Sequence, residues 1–457
     1  MRPFFCEHQL REMDRIWIED LGLPSHTLME IAGRKAAEQI MLEANTKTIV
    51  LCGSGNNGGD GYVVARWLKI WGLEPLIWQA QKPKTEDCIK NAQIAERIGV
   101  QIINLLPDMF EGTIIDALLG TGQNRAPEGK YKEALDWIFR SPNAVVISLD
   151  LPTGYGCGEL LSEEAINPKI CLSFGALKKS LFTGHHTGTV KEIDIGFDFV
   201  QAQFQAAGRL IDTPIDPIPI RDDAPKWKRG HVAIRASQGA AVLAAHAALK
   251  MGAGLVSLLV PKEEWNSLRG LRPEIMVLPP NQLNPNRHDA LVVGPAMGLN
   301  RKEEVLEYWH NFPKPAVFDA DALRILASVQ PPPSEHPRII TPHCSEAAAL
   351  LGCSVSDVTR RPFTAVANLS KIGFALLKGH HSKIATPLPY VFPHPAPRLA
   401  TAGSGDVLAG MIGALLAQKN TLKTALINAV YTHGTAGRNL SYGDGASDLI
   451  SALKPHI

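Results

Sequence analysis

The chain has 457 residues, 45% of them hydrophobic and 20% charged, with 46 Lys and Arg against 45 Asp and Glu for a formal charge of +1. That length predicts two or three domains, and the composition excludes disordered and fibrous classes. The balanced charge excludes the basic footprint that nucleic acid or an anionic membrane selects. At the start, Met1 to Leu10 carries Arg2, Glu7 and His8 with no apolar leader, and no later apolar run approaches the roughly 18 residues that span a bilayer. A cytoplasmic protein without membrane or nucleic-acid partners is expected.

Short β-branched runs then alternate with amphipathic stretches, the pattern of a parallel sheet with crossover helices. Thr48 to Cys52, Thr113 to Ile115 and Ala144 to Leu149 are the expected strands, with helices over Asp60 to Ile70 and Glu86 to Ile98. The fold class expected for this half is a Rossmann-like α/β domain. The pattern weakens from Gln201, where Pro214, Pro217, Pro219 and Pro225 place a domain boundary. It resumes with strands at His231 to Ile234, Leu255 to Val260, Ala290 to Val293, Ala316 to Phe318 and Arg338 to Ile340. Helices are expected at Ala241 to Lys250 and Val407 to Gln418, so the second half is also α/β. Pro331 to Pro337 and Pro387 to Pro397 are expected as surface loops.

Seven cysteines, Cys6, Cys52, Cys88, Cys157, Cys171, Cys344 and Cys353, form no C-x-x-C pair, which favours buried free thiols over a disulfide framework or zinc site. The pairs His185-His186 and His380-His381 lack a spaced acidic partner, so no transition-metal site is expected.

The first strand runs into Gly53-Ser54-Gly55-Asn56-Asn57-Gly58-Gly59-Asp60-Gly61, with a helix expected near Tyr62. Backbone N–H groups at such a helix start favour a phosphate, although a tight turn alone also uses glycines. Asp116 and Asp150 end two further strands, before Ala117-Leu118-Leu119-Gly120-Thr121-Gly122 and Leu151-Pro152-Thr153-Gly154. Ligands of open parallel sheets sit outside the strand carboxyl ends, so Asn57, Asp116 and Asp150 are a candidate site, against the simpler reading as caps and turn formers. In the second half, Thr401-Ala402-Gly403-Ser404-Gly405-Asp406 opens an apolar helix. Glycines there make an anion hole, and the acid can take a proton from an attacking hydroxyl, as in phosphoryl transfer. A capped helix with an acid in its first turn is the plainer alternative.

The motifs GNNGGDGYVVAR, DALLGTG and DLPTG, with the flanking LREMDRIWIEDLGLPSHTLMEIAGRKAAE and FGALKKSLFTGHHTGTVKEIDIGF, resemble the N-terminal domain of bifunctional NAD(P)H-hydrate repair enzymes. GAGLVSLLVP, VVGPAMG, FDADALRILA, ITPHCSEAAALLG, LLKGHHS and ATAGSGDVLAGMIGALLAQ resemble their ribokinase-like dehydratase domain. The resemblance implies an epimerase over residues 1–211 that interconverts R and S NADHX and NADPHX. Over residues 212–457 it implies an ADP-dependent dehydratase returning NAD(P)H from the S hydrate, with ATP replacing ADP in some members. It further implies that Asn56, Asn57, Gly58, Gly59 and Asp60, Gly120, Thr121, Gly122, Gln123, Asn124, Arg125 and Ala126, and Asp150 hold the hydrate. Asn57, Asp116 and Thr153 would ligate potassium, an oxygen-only set suited to a hard cation. Asp150 is the expected acid/base of epimerisation, and Asp406 the base of the second reaction. Ala240, Ala296, His343 and Asp406 fall at hydrate positions, and Lys378, Gly379, His380, His381, Ser382 and Gly405 at nucleotide positions. Magnesium is implied with the nucleotide, and a homo-oligomer is expected.

Several segments depart from that pattern. Arg235-Ala236-Ser237-Gln238-Gly239 stands where a glycine-rich loop is usual, GPAMG replaces GPGLG, TPHCSE replaces TPHPGE and PAPRLA precedes the G-S-G-D turn. Two rival readings follow: an active epimerase joined to a catalytically weakened nucleotide-binding domain, or a ribokinase-type small-molecule kinase.

Overall fold

The computed structural model describes residues 1–43, 47–156, 158–160, 162, 164–184, 187–216 and 225–455. His185-His186, Cys157, Pro217 and Pro219 lie outside the described residues. The chain divides into two compact units, Pro3–Gly208, and Met1–Arg2 together with Arg209–Ile457.

The N-terminal unit carries parallel strands in the order Thr189–Ile193, Ile170–Phe174, Val145–Leu149, Thr113–Ala117, Thr48–Cys52, Leu76–Gln79, Gln101–Ile103. The strand order reverses direction beside Thr48–Cys52, and a crevice opens outside the carboxyl ends at such a reversal. Side chains alternate between two buried faces. Ile49, Leu51 and Ile114 pack with Leu135 and Trp137, whereas Val50, Cys52 and Ile115 pack with Tyr62, Val64 and Leu68.

The helix expected near Tyr62 instead spans Asn56–Ile70. Glycine's low helix propensity hides this first turn in the sequence. The structure shows what the glycines are for: none between Gly53 and Gly61 has positive φ, and all but Gly55 stand where a Cβ would clash. A Cβ on Gly58 would lie 2.0 Å from the Gly53 carbonyl oxygen, and one on Gly61 would lie 2.6 Å from Ala117 Cβ. Close seating of the helix on the strand and the chain that follows it, not a tight turn, demands Gly58 and Gly61. Asp116 also lies inside its strand, which continues to Ala117.

In the C-terminal unit the order is Gly208–Leu210, Tyr390–Val391, Lys383–Ile384, Phe374–Leu377, Arg338–Ile340, Ala316–Phe318, Ala290–Val293, His231–Arg235, Leu255–Leu259, Met276–Leu278. The strands from Phe374–Leu377 onward are parallel, and Lys383–Ile384 is antiparallel to both neighbours. The order again reverses, here beside His231–Arg235. Helices Gln238–Lys250 and Ser404–Ala417 start three residues earlier than expected and touch through Gly410, where a Cβ would lie 2.1 Å from the Ala244 carbonyl oxygen.

Pro331–Pro337 is an irregular surface loop, but Pro387 to Pro397 is more than that. It contains the buried strand Tyr390–Val391, and Tyr390 and Phe392 join the core with Ile384. Flanking prolines masked three apolar residues long enough to pair with Lys383–Ile384 on one side and Arg209 and Leu210 on the other. Among the described residues, no helix is long and apolar enough to cross a membrane, and no group of three or more His, Cys, Asp or Glu is arranged to hold a metal ion.

Candidate functional sites

A cavity of about 560 Å³ opens at the strand reversal of the N-terminal unit. Its wall brings together Asn56, Asn57, Asp60, Gly120, Thr121, Gly122, Gln123 and Asp150 from three strand ends. Gly58 and Gly59 are buried in the helix and lie off the wall, as do the exposed Asn124, Arg125 and Ala126.

Asp116 is fully buried and accepts hydrogen bonds from Ser148 Oγ at 2.8 Å, Thr153 Oγ1 at 2.8 Å, Thr153 N at 3.0 Å and Leu118 N at 3.2 Å. Burial pushes its carboxyl upward, and these donors work against that. Asn57 is only 8% exposed, yet neither atom of its side-chain amide has a hydrogen-bond partner. Burying an amide unpaired costs on the order of 1–3 kcal/mol, which favours a ligand there. Gln123, expected to touch substrate, also clamps two loops: its Nε2 donates to the Leu119 carbonyl at 3.2 Å and its Oε1 accepts from Gly154 N at 2.7 Å.

Asp150 follows Leu149 with φ of +65°, a left-handed backbone that aspartate tolerates better than most residues. Its Oδ1 lies 2.8 Å from Lys178 Nζ. Lys178 is 1% exposed and also donates to Ser173 Oγ at 2.9 Å and the Phe174 carbonyl at 3.0 Å. Asp60 is pushed well above the usual carboxylate range by burial, then by the charges of Asp150 and Asp14. Asp14 keeps solvent access on the cavity wall; desolvation by its surroundings and Asp150 push it up, against Lys178. Sequence reasoning assigned no role to Lys178 or Asp14. Lys178 stands in FGALKKS, but nothing there distinguishes it from the neighbouring Lys179.

A second cavity, about 590 Å³, lies in the C-terminal unit. His343, Lys378, Gly379, His380, Ser382 and Gly405 line it, with Phe392, Pro397, Leu399, Leu408 and Val430 forming apolar surface. His381 is instead buried, packed edge-on to His380, with its Nδ1 3.3 Å from the Phe392 carbonyl oxygen. Ala240, Ala296 and Asp406 lie off this wall. His343 also caps helix Cys344–Leu351, its Nδ1 accepting from Glu346 N at 3.3 Å.

Helix Ser404–Ala417 begins after Gly403, whose φ of +88° turns the chain into the first helical turn. Lys378 Nζ pairs with Asp319 Oδ1 at 2.7 Å, and a Cβ on Gly405 would lie 3.6 Å from that ammonium. Asp406 is pushed up to about 6 by burial and then by Asp319, with Lys378 opposing. Asp319, in the motif FDADALRILA, is a further residue that the sequence reading passed over. The unassigned His433 also lines this cavity, with Nε2 2.9 Å from the Ser404 carbonyl oxygen.

The altered loops leave a structural mark. Arg235 is fully buried in a two-point pair with Glu304, at 2.6 and 3.2 Å. Gln238 and Ala296 each adopt φ of +52°. That region costs a non-glycine residue about 1–2 kcal/mol, of which glycine's extra unfolded-state freedom returns roughly 0.5–1 kcal/mol. Ala296→Gly and Gln238→Gly are therefore each expected to stabilise the protein by about 0.5–1 kcal/mol. Denaturant unfolding checks this, and an unchanged or lowered midpoint would mean the backbone is unstrained.

The comparisons with known proteins agree across both units. Residues 234–456 match the family model described as NAD(P)H-hydrate dehydratase, and residues 25–180 match that described as YjeF-related protein N-terminus. The bifunctional NAD(P)H-hydrate repair enzyme Nnr of Escherichia coli K12 is 34% identical, over 97% of this chain and 92% of that protein. Its counterpart from Coxiella burnetii is 32% identical over 100% and 99%. A solved ADP/ATP-dependent NAD(P)H-hydrate dehydratase from Bacillus subtilis, co-crystallised with ATP and Mg²⁺, is 25% identical with a TM-score of 0.47, covering 52% of this chain and 92% of that one. The chain belongs to the family of bifunctional NAD(P)H-hydrate repair enzymes, with an epimerase-type N-terminal and a dehydratase-type C-terminal domain.

Proposed function

We propose that residues 1–211 epimerise NADHX and NADPHX at Asp150, and that residues 212–457 dehydrate the S hydrate at Asp406 with ADP. The observation that carries this reading is that Asp150 lines the cavity of the first unit, and that Ser404 and Gly405, which lead into Asp406 at a helix start, line the cavity of the second.

In the first reaction a proton reaches the C6 hydroxyl, the C6–O bond breaks with its electron pair leaving in water, and the ring nitrogen lone pair stabilises the cation. Water then adds to the other face and returns a proton, which inverts the centre. Asp150 gives and takes that proton, and its pairing with Lys178 fixes the carboxylate's position. The residues also fit a potassium ion. Asn57, Asp116 and Thr153 would hold it, all oxygen donors, and Asn57 has its oxygen free of other partners. A bound potassium supplies a fixed positive charge beside the buried Asp116.

In the second reaction Asp406 takes the C6 hydroxyl proton as that oxygen attacks the terminal phosphoryl group of ADP and the bridging P–O bond breaks to release AMP; phosphate then leaves C6 with the C–O electron pair, the ring nitrogen lone pair stabilises the cation, and loss of a C5 proton to water restores the double bond. Helix-start N–H groups at Gly405 and the Lys378 ammonium face the charge that develops. The apolar wall from Phe392 to Val430 suits a nucleotide base, and magnesium arrives with the nucleotide.

The test supplies R and S NADHX with ADP, Mg²⁺ and K⁺, following NADH absorbance and epimer ratio together. Recovery of both epimers as NADH is expected, with epimerisation slower when Na⁺ replaces K⁺. Equilibrated epimers without NADH would support the second reading, an epimerase with a weakened partner domain, which the Arg235 lock and the strained Gln238 and Ala296 favour.

A further inference from the structure

Three features of the C-terminal cavity meet on one helix, Leu422–Arg438. His433 sends Nε2 to the Ser404 carbonyl oxygen at 2.9 Å. The next residue, Gly434, is where a Cβ would lie 2.3 Å from the Phe392 ring, and Gly437 is where one would lie 2.4 Å from Leu399 Cγ. Phe392 and Leu399 are both cavity wall. This helix therefore backs the apolar wall and also grips the turn that precedes Asp406.

The grip falls on a particular peptide. A trans peptide holds its C=O and N–H on opposite sides of one plane, so fixing the Ser404 carbonyl fixes the Gly405 N–H to point away from His433. That N–H is one of the unpaired donors at the helix start. A hydrogen bond accepted at the carbonyl also polarises the amide, making its N–H a stronger donor. The turn is held on its other side by Ser404 Oγ, which donates to the Leu399 carbonyl at 2.6 Å.

We propose that His433 is a positioning residue for phosphoryl transfer, holding and polarising the Ser404–Gly405 peptide so that the Gly405 N–H meets the charge developing on the transferred phosphoryl group. This rests on the dehydratase reading. Burial holds the His433 pKa down to about 4, so the ring is neutral in the working range and Nε2 carries the hydrogen that Ser404 accepts. Lys378 is the charged group that adds to this depression, while the Ser404 carbonyl opposes it.

The test uses the full chain with S-NADHX, ADP and Mg²⁺. Wild-type recovery of NADH establishes the dehydratase reading independently; its absence would reject that reading and this inference together. His433→Leu removes the donor at similar volume, and His433→Gln restores one. His433→Leu is expected to lower kcat about 10- to 100-fold, the range of one lost oxyanion donor or less, while KM for ADP moves less than about threefold. His433→Gln is expected to recover most of the loss. Thermal unfolding of each variant separates misfolding from the effect sought. A kcat within about twofold of wild type, a loss carried by KM alone, or no rescue by glutamine in a folded variant would overturn the proposal.

Discussion

Asp406→Asn is expected to abolish NADH recovery from S-NADHX, by at least about a hundredfold, and to leave R to S interconversion running. Asparagine keeps the shape of the side chain but accepts no proton, so the substitution isolates the base. The same residue sets the pH dependence. The base works deprotonated, and its carboxyl is raised to about 6 by burial and by Asp319. Recovery should therefore fall as pH drops through about 6, well above the ordinary carboxylate range, and hold above it. The stability consequence has the opposite sign. A carboxyl raised in the folded state contributes stability below its unfolded pKa and loses it as pH rises through the folded value. At neutral pH the asparagine variant should unfold no more easily than wild type, so an inactive and stable protein is the expected outcome. Substantial NADH recovery by this variant would remove Asp406 from the role of base.

Asp150→Asn is expected to suppress epimerisation by a similar factor, with a different effect on stability. Lys178 is 1% exposed, and removing its anionic partner leaves a buried ammonium held by Ser173 and main-chain carbonyls alone. Breaking one side of a buried pair costs about 3–5 kcal/mol, so lost activity in the single variant would not by itself assign chemistry. Asp150→Asn combined with Lys178→Met removes both charges and should regain most of the lost stability. Epimer equilibration, followed by chromatography in the absence of ADP, should stay absent in the double variant. Asparagine suits the backbone too, since it tolerates φ of +65° as aspartate does. Epimerisation that returns with stability would make Asp150 structural.

The two α/β patterns and the acids at Asp150 and Asp406 were legible because each stands in a local signature, a strand end or glycine-bearing helix start. The pairings of lysines with acids were not, although Lys378 itself was expected at a nucleotide position. Lys178 meets Asp150 because Ile170–Phe174 neighbours Val145–Leu149 in the sheet. Lys378 meets Asp319 across the intervening strand Arg338–Ile340, a pairing of residues 59 apart in sequence. Such partners depend on strand order, which local spacing does not encode. Glycine misled in a different way. Its low propensity moved the expected helix start from Asn56 to Tyr62, although the helix keeps these glycines to approach the strand. The bare amide of Asn57 is a property of its surroundings alone, as is the left-handed backbone at Ala296.

Among the described residues, those that line each cavity come from a single unit. On the proposed function, Asp150 and Asp406 stand in different units, so lesions at the two are expected to fall in separate complementation groups. A chain disabled at Asp150 and another disabled at Asp406 would jointly restore what each lacks, with the freely diffusing hydrate as the shared currency between them.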